Sequence, residues 1–352
     1  MRGPIGIAVI GCGYWGINYI RVFSELPQAR VVAVCDPRPE RLQEVERRFN
    51  GAQLVTKVEE VLRLDGVDAA IICTPATTHY NVASQCLLAR KHILVEKPIT
   101  TKVADADKLI DLAESTGQLL MVGHTFIYNP AVTKVKEYLD RGQLGQLYYL
   151  YARRTNMGPI RHDVNALWDL APHDVSIFNY LLDDTPKWVS AVGARVLRNR
   201  REDVGFISLG YGSDIVGHIH VSWADAYKVR EVVVVGSNKR IVFNEFNSSE
   251  RVRVFNKGIT IMAPEISSYG EHQLQMRDGD IISPQVDISE PLKNQCGHFL
   301  HCIAQGVRPL TDGWTGRDIV RVMEAIDRSI THNGAPAEIA KENNNVYQSR
   351  YA

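Results

Sequence analysis

Short apolar runs separated by helical patterns dominate the first third of the chain. Apolar runs at 5–10, 31–35, 69–73, 92–95 and 119–122 predict strands that are buried on both faces. Between these runs apolar residues recur every three or four positions, as in Leu42, Val45 and Phe49, which predicts amphipathic helices. Because strands and helices alternate, we predict a doubly wound parallel sheet.

The pattern becomes rich in strands after Leu147. Runs at 147–153, 188–197, 204–211, 215–223, 231–236 and 240–244 predict a large, mostly antiparallel open sheet. The aromatic-rich alternation at 216–223 predicts that a partner covers one face of this sheet. A polar, irregular segment at 269–291 is predicted to be a lid or an oligomer arm, and two further helices follow it.

The composition is that of an ordinary globular protein and narrows the choice of partners. The 352 residues include 40 basic and 40 acidic residues, so neither nucleic acid nor an anionic membrane is an expected partner. No apolar run approaches the roughly 20 residues of a membrane span, and no signal-peptide pattern begins the chain. The six cysteines lack the spacing of metal ligands, so we expect a reduced, cytoplasmic protein without a metal site.

A glycine-rich turn follows the first predicted strand. Gly11-Cys12-Gly13-Tyr14-Trp15-Gly16 matches the G-x-G-x-x-G fingerprint and opens a predicted helix. Gly11 permits the turn, Gly13 lets a pyrophosphate approach, and Gly16 lets helix and strand pack closely. Asp36 ends the next strand, 20 residues after Gly16, where an acid binds the hydroxyls of a ribose.

These residues predict a Rossmann domain at 1–125 that binds NAD, with Tyr14 and Trp15 also beside the cofactor. A carboxylate at Asp36 would repel the 2′-phosphate of NADP, although Arg38 and Arg41 are near enough in sequence to weaken that repulsion. The alternative is a purely structural glycine-rich turn. Residues 126–352 are then a second, α+β domain that binds the substrate, and the fold class is α/β.

Polar residues follow the later strands, at the edge where ligands bind in such sheets. Thr74, Pro75 and His79 follow the run at 69–73 and are cofactor-side candidates. Glu96 and Lys97 follow the run at 92–95. Lys97 is suited to hold a substrate hydroxyl by its charge beside the nicotinamide, and the alternative is an exposed lysine paired with Glu96.

The segment 168–174 carries the candidate for acid–base chemistry. Pro172 suits the first position of a helix, which would place His173 in the first turn. The positive helix end would then keep its imidazole neutral, and Asp169 would orient it. A neutral histidine beside a carboxylate is typical of a general base. The alternative is a helix cap with a buried, hydrogen-bonded histidine.

Further candidates lie on the predicted substrate side. Asn129 either caps the helix that begins at Pro130 or faces the substrate. Arg153, Arg154 and Arg161 offer the forked donors that a diphosphate or a carboxylate needs. The alternative for these arginines is a solvated sheet edge.

Four motifs occur in a familiar order: the glycine turn, Glu96-Lys97-Pro98, Gly123-x4-Tyr128-Asn129-Pro130 and Asp169-x3-His173. In these motifs the chain resembles the Gfo/Idh/MocA oxidoreductases. The resemblance implies a Rossmann domain, a second domain with an open sheet, and dimers or tetramers formed through that sheet. It also implies that Lys97 and His173 lie beside the nicotinamide and the substrate.

Within that family, the segment 163–174 and Glu290-Pro291-Leu292-Lys293 are similar to those of UDP-N-acetyl-hexosaminuronate 3-dehydrogenases. The segment adds Asn165 as a substrate-side candidate and Trp168 as a cofactor-side candidate. This resemblance implies an NAD-dependent enzyme that oxidises C3 of a nucleotide sugar in surface-polysaccharide or deoxysugar synthesis. The alternatives are a free-sugar or inositol dehydrogenase of the same family and a non-catalytic NAD-binding regulator.

Overall fold

The first part of the chain forms a parallel sheet. A computed structural model describes residues 3–158, 160–161, 163–197, 200–261 and 274–339. The strands are β1 (Ile5–Ile10), β2 (Ala29–Cys35), β3 (Gln53–Val55), β4 (Ala69–Ile72), β5 (His92–Glu96) and β6 (Leu120–Gly123). The helices between them are α1 (Tyr14–Glu25), α2 (Pro39–Arg48), α3 (Val58–Leu62), α4 (His79–Leu88) and α5 (Val103–Thr116). The strand order is β3-β2-β1-β4-β5-β6, which confirms the doubly wound parallel sheet.

The order of the strands reverses direction at β1, and this reversal creates a crevice. Strand β1 pairs in parallel with β2 on one side and with β4 on the other. Helices that leave neighbouring strands in opposite directions open a crevice at the carboxyl ends of those strands. Gly11, with a φ of +97°, follows β1, and Asp36 follows β2. The glycine turn and the acid therefore both lie at the crevice.

A second, larger sheet follows. Its described strands are β7 (Leu147–Thr155), β8 (Trp188–Ala194), β9 (Val204–Gly210), β10 (Val216–Ser222), β11 (Val229–Gly236), β12 (Arg240–Asn244), β13 (Val252–Phe255), β16 (Ile281–Ile282) and β17 (Ala337–Glu338). Their order is β16-β13-β12-β11-β7-β10-β9-β8-β17. Strands β7 and β10 pair in parallel, whereas the other neighbours pair antiparallel. The mostly antiparallel open sheet is confirmed.

The sequence predicts that the whole segment 269–291 is irregular. In the structure, its described part contains two short strands. In its described part β15 (Leu274–Arg277) pairs with β14 (Gly258–Ile261), and β16 extends the edge of the second sheet. Residues 269–273 lie outside the described residues. Strands of four and two residues leave too little alternation for a sequence pattern to reveal them.

Four helices join the two sheets: α6 (Pro130–Asp140), α7 (Ala166–Leu182), α8 (Pro291–Gln305) and α9 (Gly313–Thr331). Helix α7 packs on β10, whereas α8 packs on α1, and α9 contacts both α5 and β8. The backbone N–H of Val122 in β6 donates to the carbonyl of Thr311, at 2.7 Å. The last helices therefore return to the first sheet and hold the two parts together. None of the described helices is long and apolar enough to cross a membrane.

Pro172 predicts a helix that begins at residue 172, but α7 begins at Ala166, six residues earlier. Its N-cap is Asn165, whose Oδ1 accepts the backbone N–H of Trp168, and Pro172 lies inside the helix. The prediction that His173 lies in the first turn is therefore wrong. A proline inside a helix costs about 3 kcal/mol. Leu167, Ala171 and Phe178 offset that cost by burying one face of the helix against the second sheet.

A buried ion pair attaches α7 to the second sheet. The guanidinium of Arg154 in β7 donates to both carboxylate oxygens of Asp174, at 2.9 and 2.8 Å. The two side chains are 4% and 1% exposed, so neither has water as an alternative partner. Loss of either partner would leave the other charge buried without compensation.

We expect Asp174→Ala to lower the free energy of unfolding by about 3–5 kcal/mol, because Arg154 stays buried without its carboxylate. Asp278→Ala is the matched control, since Asp278 pairs with Lys257 on the exposed surface. That variant should change stability by less than about 1 kcal/mol. Equilibrium unfolding in urea measures both values, and equal losses would contradict the assignment.

Candidate active site

The glycine turn presents backbone N–H groups at the start of α1. Gly13 is the N-cap residue, and no side chain caps the helix in the described structure. A Cβ built on Gly13 would meet no atom within 4 Å, so open space faces this residue. A Cβ on Gly16 would lie 1.9 Å from the carbonyl oxygen of Gly11. Gly13 therefore leaves room for a ligand, whereas Gly16 is needed for the turn itself.

The acid at the end of β2 is almost completely buried. Asp36 is 1% exposed, and its Oδ2 accepts the backbone N–H of Cys12 in the glycine turn, at 2.8 Å. Burial alone would raise the pKa of Asp36, but hydrogen bonds from Arg38 and Cys12 outweigh it and lower the pKa. A charged carboxylate thus lies beside the glycine turn, as the dinucleotide fingerprint requires.

Lys97 brings the first sheet into contact with α7. It follows β5, is 6% exposed, and joins Pro98 through a cis peptide bond. Its Nζ donates to the carbonyl oxygen of Asp169 at 2.7 Å and lies 3.3 Å from Asp169 Oδ1. Of the two alternatives for this lysine, the structure excludes the exposed lysine paired with Glu96.

Asp169 collects three donors at the centre of the site. Besides Lys97, its Oδ1 accepts from Arg161 Nη1, and its Oδ2 accepts from Trp223 Nε1, each at 3.3 Å. Burial alone would raise the pKa of Asp169, but the charges of Lys97 and Arg161 outweigh it, so the pKa is lowered. The carboxylate therefore stays ionised and holds the cations in place.

His173 lies one turn after Asp169 on the same face of α7. Its ring packs edge-on against Phe126, with 5.0 Å between ring centroids. Burial is the main cause that lowers the pKa of His173 well below its ordinary value, and the positive charge of Lys97 comes next. Arg154 and Arg230 lower it further. The imidazole is therefore neutral near pH 7, but not because of a helix terminus.

Two buried groups near Lys97 had no signal in the sequence analysis. The Tyr19 hydroxyl donates to Glu96 Oε1 at 2.8 Å, and Gln295 Nε2 donates to that hydroxyl at 2.7 Å. Burial raises the pKa of Glu96 despite these contacts. This chain of hydrogen bonds connects α8 and α1 to the strand end that carries Lys97. Residues so far apart in sequence give no local pattern.

His124 is a further residue at this sheet edge that no sequence motif singles out. It follows β6, whose Gly123 pairs with Glu96, so it lies beside Lys97 at the same sheet edge. The ring is fully buried, and neither nitrogen has a hydrogen-bond partner among the described residues. Burial and then the charge of Lys97 lower its pKa to about 3. A neutral, polar ring of this kind beside a crevice is unusual in a purely structural role.

The remaining cofactor-side candidates divide into buried and exposed residues. His79 is buried, and its ring nitrogens lie 2.7 Å from the carbonyl of Pro98 and 2.9 Å from that of Thr74. It thus ties together the loops that follow β4 and β5. Pro75, Tyr14 and Trp15 are exposed near the mouth of the crevice.

Three side chains that the sequence predicts to bind ligands make hydrogen bonds within the protein. Asn129 Oδ1 accepts the N–H of Ala131 and caps α6. Asn165 caps α7, and its Nδ2 donates to Glu202 at 3.0 Å. The indole N–H of Trp168 donates to Asp327 of α9, at 2.8 Å.

The three candidate arginines do not lie together. Arg161 contacts Asp169 and pairs with both oxygens of Asp163, at 2.9 and 2.6 Å. Arg154 is committed to Asp174, as described above. Arg153 is exposed, because successive residues of β7 point to opposite faces of the sheet. Only Arg161 therefore lies beside Lys97 and Asp169.

The crevice fits a dinucleotide. The open space at Gly13, the uncapped start of α1 and the ionised Asp36 supply sites for a pyrophosphate and a ribose. Lys97, His124 and His173 lie at the other end of the same edge. Among the described residues, no group of three or more His, Cys, Asp or Glu side chains is placed to hold a metal ion.

Two family sequence models match the chain. Residues 5–124 match the NAD-binding Rossmann fold of an oxidoreductase family, and residues 132–242 match the GFO/IDH/MocA C-terminal domain. Together the two matches span about two thirds of the chain, including the whole first sheet and the strands of the second sheet from β7 to β11.

Individual relatives are more distant. The chain is 26% identical to scyllo-inositol 2-dehydrogenase (NAD(+)) of Bacillus subtilis (strain 168), over 96% of this chain and 97% of that protein. It is 25% identical to UDP-N-acetylglucosamine 3-dehydrogenase of Acidithiobacillus ferrooxidans, over 89% and 93%. The fold is similar to that of the WlbA dehydrogenase from Bordetella pertussis, solved with NADH and UDP-GlcNAcA. That structure has a TM-score of 0.80, is 19% identical, and the match covers 97% of this chain and 99% of that chain.

We expect Gly13→Ala to weaken NAD binding and Gly16→Ala to destabilise the fold. The methyl group in Gly13→Ala enters open space, so the melting temperature should hold, while the affinity for NAD falls at least about tenfold. Gly16→Ala forces the helix away from Gly11 and should cost about 1–3 kcal/mol of stability. Thermal unfolding and calorimetric titration with NAD measure both. Equal loss of stability in the two variants would refute this division of roles.

Proposed function

Because the chain belongs to the GFO/IDH/MocA oxidoreductase family, a family of NAD-dependent sugar dehydrogenases, we propose that it oxidises a secondary hydroxyl of a sugar ring. The proposed substrate is a nucleotide sugar, a UDP-N-acetyl-hexosamine or its uronate, and the proposed position is C3. The observation that carries the proposal is the meeting of Lys97, Asp169 and His173 at the end of the cofactor crevice.

In the proposed reaction, Lys97 holds the oxygen of the substrate hydroxyl and His173 accepts its proton. Lys97 has three N–H donors and gives two to Asp169, so one is left to hold the substrate oxygen. His173 is neutral and accepts the hydroxyl proton as general base. When bound, NAD supplies the hydride acceptor. The positive charge of Lys97 then stabilises the negative charge that develops on the oxygen, and the product is a ketone.

Asp169 acts in this scheme as a positioning residue. Its carboxylate is ionised and holds Lys97 and Arg161 on one side of the site. Asp169 also compensates for the burial of the Lys97 ammonium, because a buried charge is costly unless it is paired and hydrogen-bonded. Arg161 is the arginine best placed to contact a substrate carboxylate or diphosphate.

Separate similarities support a nucleotide sugar and a free polyol as substrate. Resemblance of 163–174 to the nucleotide-sugar branch and the similarity to UDP-N-acetylglucosamine 3-dehydrogenase support the first. The similarity to scyllo-inositol 2-dehydrogenase over nearly the full length supports an inositol or free-sugar dehydrogenase as the second candidate. A panel of substrates separates the two.

We also propose that a second copy of the chain covers the open face of the large sheet. On that face Tyr149 lies opposite Val216, and Phe206 lies opposite Val192. All four side chains are more than 40% exposed. Exposed apolar residues on one sheet face are typical of a protein interface, which here would form dimers or tetramers.

We expect His173→Asn and Lys97→Met each to lower kcat by about a hundredfold or more, while NAD binding survives. The matched controls are the exposed His332 and Lys108, as His332→Asn and Lys108→Met, which should keep full activity. In the wild type, kcat should fall on the acid side only below pH 6.5. The pKa of His173 is lowered below that value, and the imidazole is neutral at any pH above its pKa. Near-normal turnover in both site variants would sink the assignment.

Thermal unfolding with candidate ligands tests the substrate class. Since a ligand that binds only the folded state raises the melting temperature, we expect UDP-N-acetyl-hexosamines or their uronates to raise it further when NAD is present. A shift with inositols or free sugars alone would replace the first candidate by the second. NAD binding without reduction by any member of the panel would favour a non-catalytic regulator.

A further inference from the structure

Arg230 points from the second sheet toward α7. It is the second residue of β11 and lies opposite Arg154 of β7 in an antiparallel pair. Opposite residues of such a pair point to the same face of the sheet, and Arg154 pairs with Asp174 of α7 on that face. The Arg230 side chain therefore lies on the α7 side of the sheet, away from the open face.

The end of the sheet where Arg230 lies also borders the Asp169 cluster. Strands β7 and β10 are parallel and end there, and β11 runs antiparallel to β7 and begins there. Trp223 directly follows β10, and its indole N–H donates to Asp169 Oδ2. Arg230 and the carboxylate that holds Lys97 therefore lie at the same end of the second sheet.

A phenylalanine ring connects Arg230 to the candidate base. The guanidinium carbon of Arg230 lies 5.7 Å from the centre of the Phe126 ring, and that ring contacts the imidazole of His173 edge-on. The charge of Arg230 is also one of the causes that lower the pKa of His173. Arg230 is thus a cation on the His173 side of the site, whereas Arg161 contacts Asp169.

The guanidinium of Arg230 has donors that the protein does not use. Its side chain is 33% exposed, and among the described residues its one hydrogen bond runs from Nη1 to Glu245 Oε2, at 3.0 Å. A guanidinium has five N–H donors, so most of them are left for a ligand. Arg154 differs, since its Nε and Nη2 are both held by Asp174 and its side chain is buried. Of these two neighbouring arginines, only Arg230 is accessible to a ligand.

Phe246 and Lys228 extend this cationic surface. The guanidinium carbon of Arg230 lies 5.6 Å from the centre of the Phe246 ring, and Lys228 Nζ lies 4.9 Å from it. The Phe246 ring belongs to an exposed residue, and Lys228 has no carboxylate partner among the residues that the structure describes. Since Glu245 pairs with Arg230 alone, the charge of Lys228 is not compensated by a direct contact.

We propose that Arg230, with Lys228 and Phe246 beside it, binds an anionic group of the sugar substrate on the His173 side of the site. The forked donors of a guanidinium match the oxygens of a carboxylate or a phosphate, and Lys228 adds a second positive charge. The carboxylate of a hexosaminuronate and the diphosphate of a nucleotide sugar share this chemistry. The proposal rests on the proposed oxidation of a sugar, and it makes Arg230 a residue that selects anionic sugars over inositols.

The test is calorimetric titration of the full chain saturated with NADH, so that the cofactor already occupies the glycine turn and no oxidation takes place. The ligands are UDP-N-acetylglucosamine, which carries only the diphosphate, its uronate, which carries a carboxylate as well, and uncharged myo-inositol. Arg230→Met should weaken binding of the uronate by about tenfold or more, the size of a lost hydrogen bond to a charged group. Arg230→Lys keeps the charge without the fork and should weaken it less.

The two nucleotide sugars distinguish the source of the anion. Equal weakening of both by Arg230→Met identifies the diphosphate, whereas weakening of the uronate alone identifies the carboxylate. In turnover with NAD, the same variant should raise KM and keep kcat within about threefold, because Arg230 has no part in the proton or hydride transfer.

Glu245→Gln is a second variant with the opposite expected sign. It removes the carboxylate that competes for Arg230, so binding of the anionic sugar should tighten by about two- to fivefold, the range of a partly exposed ion pair. Affinity for myo-inositol should stay the same in both variants. Arg195→Met is the matched control, because Arg195 is an exposed arginine paired with Glu202, and it should alter none of the constants.

Unchanged affinity for both nucleotide sugars in Arg230→Met and in Glu245→Gln would overturn the proposal and leave the proposed function standing. A wild type that binds myo-inositol but neither nucleotide sugar would also overturn it, in favour of the second candidate function. A wild type that binds NADH but no sugar of the panel would overturn the proposed function and this proposal together.

Discussion

A buried ammonium group is the constraint on which the site depends. Lys97 lies at the end of a strand of the first sheet and is nearly inaccessible to water. A charge removed from water must be paired and hydrogen-bonded, and Asp169 supplies both a carbonyl and a carboxylate for this purpose. Since Asp169 belongs to α7, the contact fixes the second part of the chain against the first. It also fixes His173, which lies one turn further along α7.

The charges around His173 serve two purposes at once. Burial, and after it the charges of Lys97, Arg154 and Arg230, lower the pKa of His173, so the ring is neutral near pH 7. A cationic surrounding also favours the negative charge that develops on an oxidised hydroxyl. Asp169 pairs with Lys97, Asp174 pairs with Arg154, and Glu245 pairs with Arg230. None of these carboxylates contacts the imidazole among the contacts described. The site thus combines a neutral imidazole with positively charged side chains around it.

At each end of the crevice, a carboxylate is hydrogen-bonded to a basic side chain. At one end Asp36 is saturated by Arg38 and two backbone N–H groups, and at the other Asp169 is shared by Lys97, Arg161 and Trp223. Each carboxylate is therefore fixed and compensated before a ligand arrives. A ligand that contacts either acid therefore has to compete with a cation.

The sequence by itself determined the parallel sheet, the glycine turn with Asp36, the strand-rich second part and the place of Lys97 after a buried strand, because each rests on a short-range pattern or a motif. It could not determine the start of α7. A proline usually occupies the first turn of a helix, but here the cap from Asn165 and the burial of the helix face offset the cost of Pro172 inside the helix. Nor could it show that Arg154 pairs with Asp174, that Arg153 faces the other side of the sheet, or that His124 and Gln295 lie near Lys97. Those facts depend on which distant segments meet, and only the tertiary structure decided them, because burial and pairing of charges are properties of the packed chain.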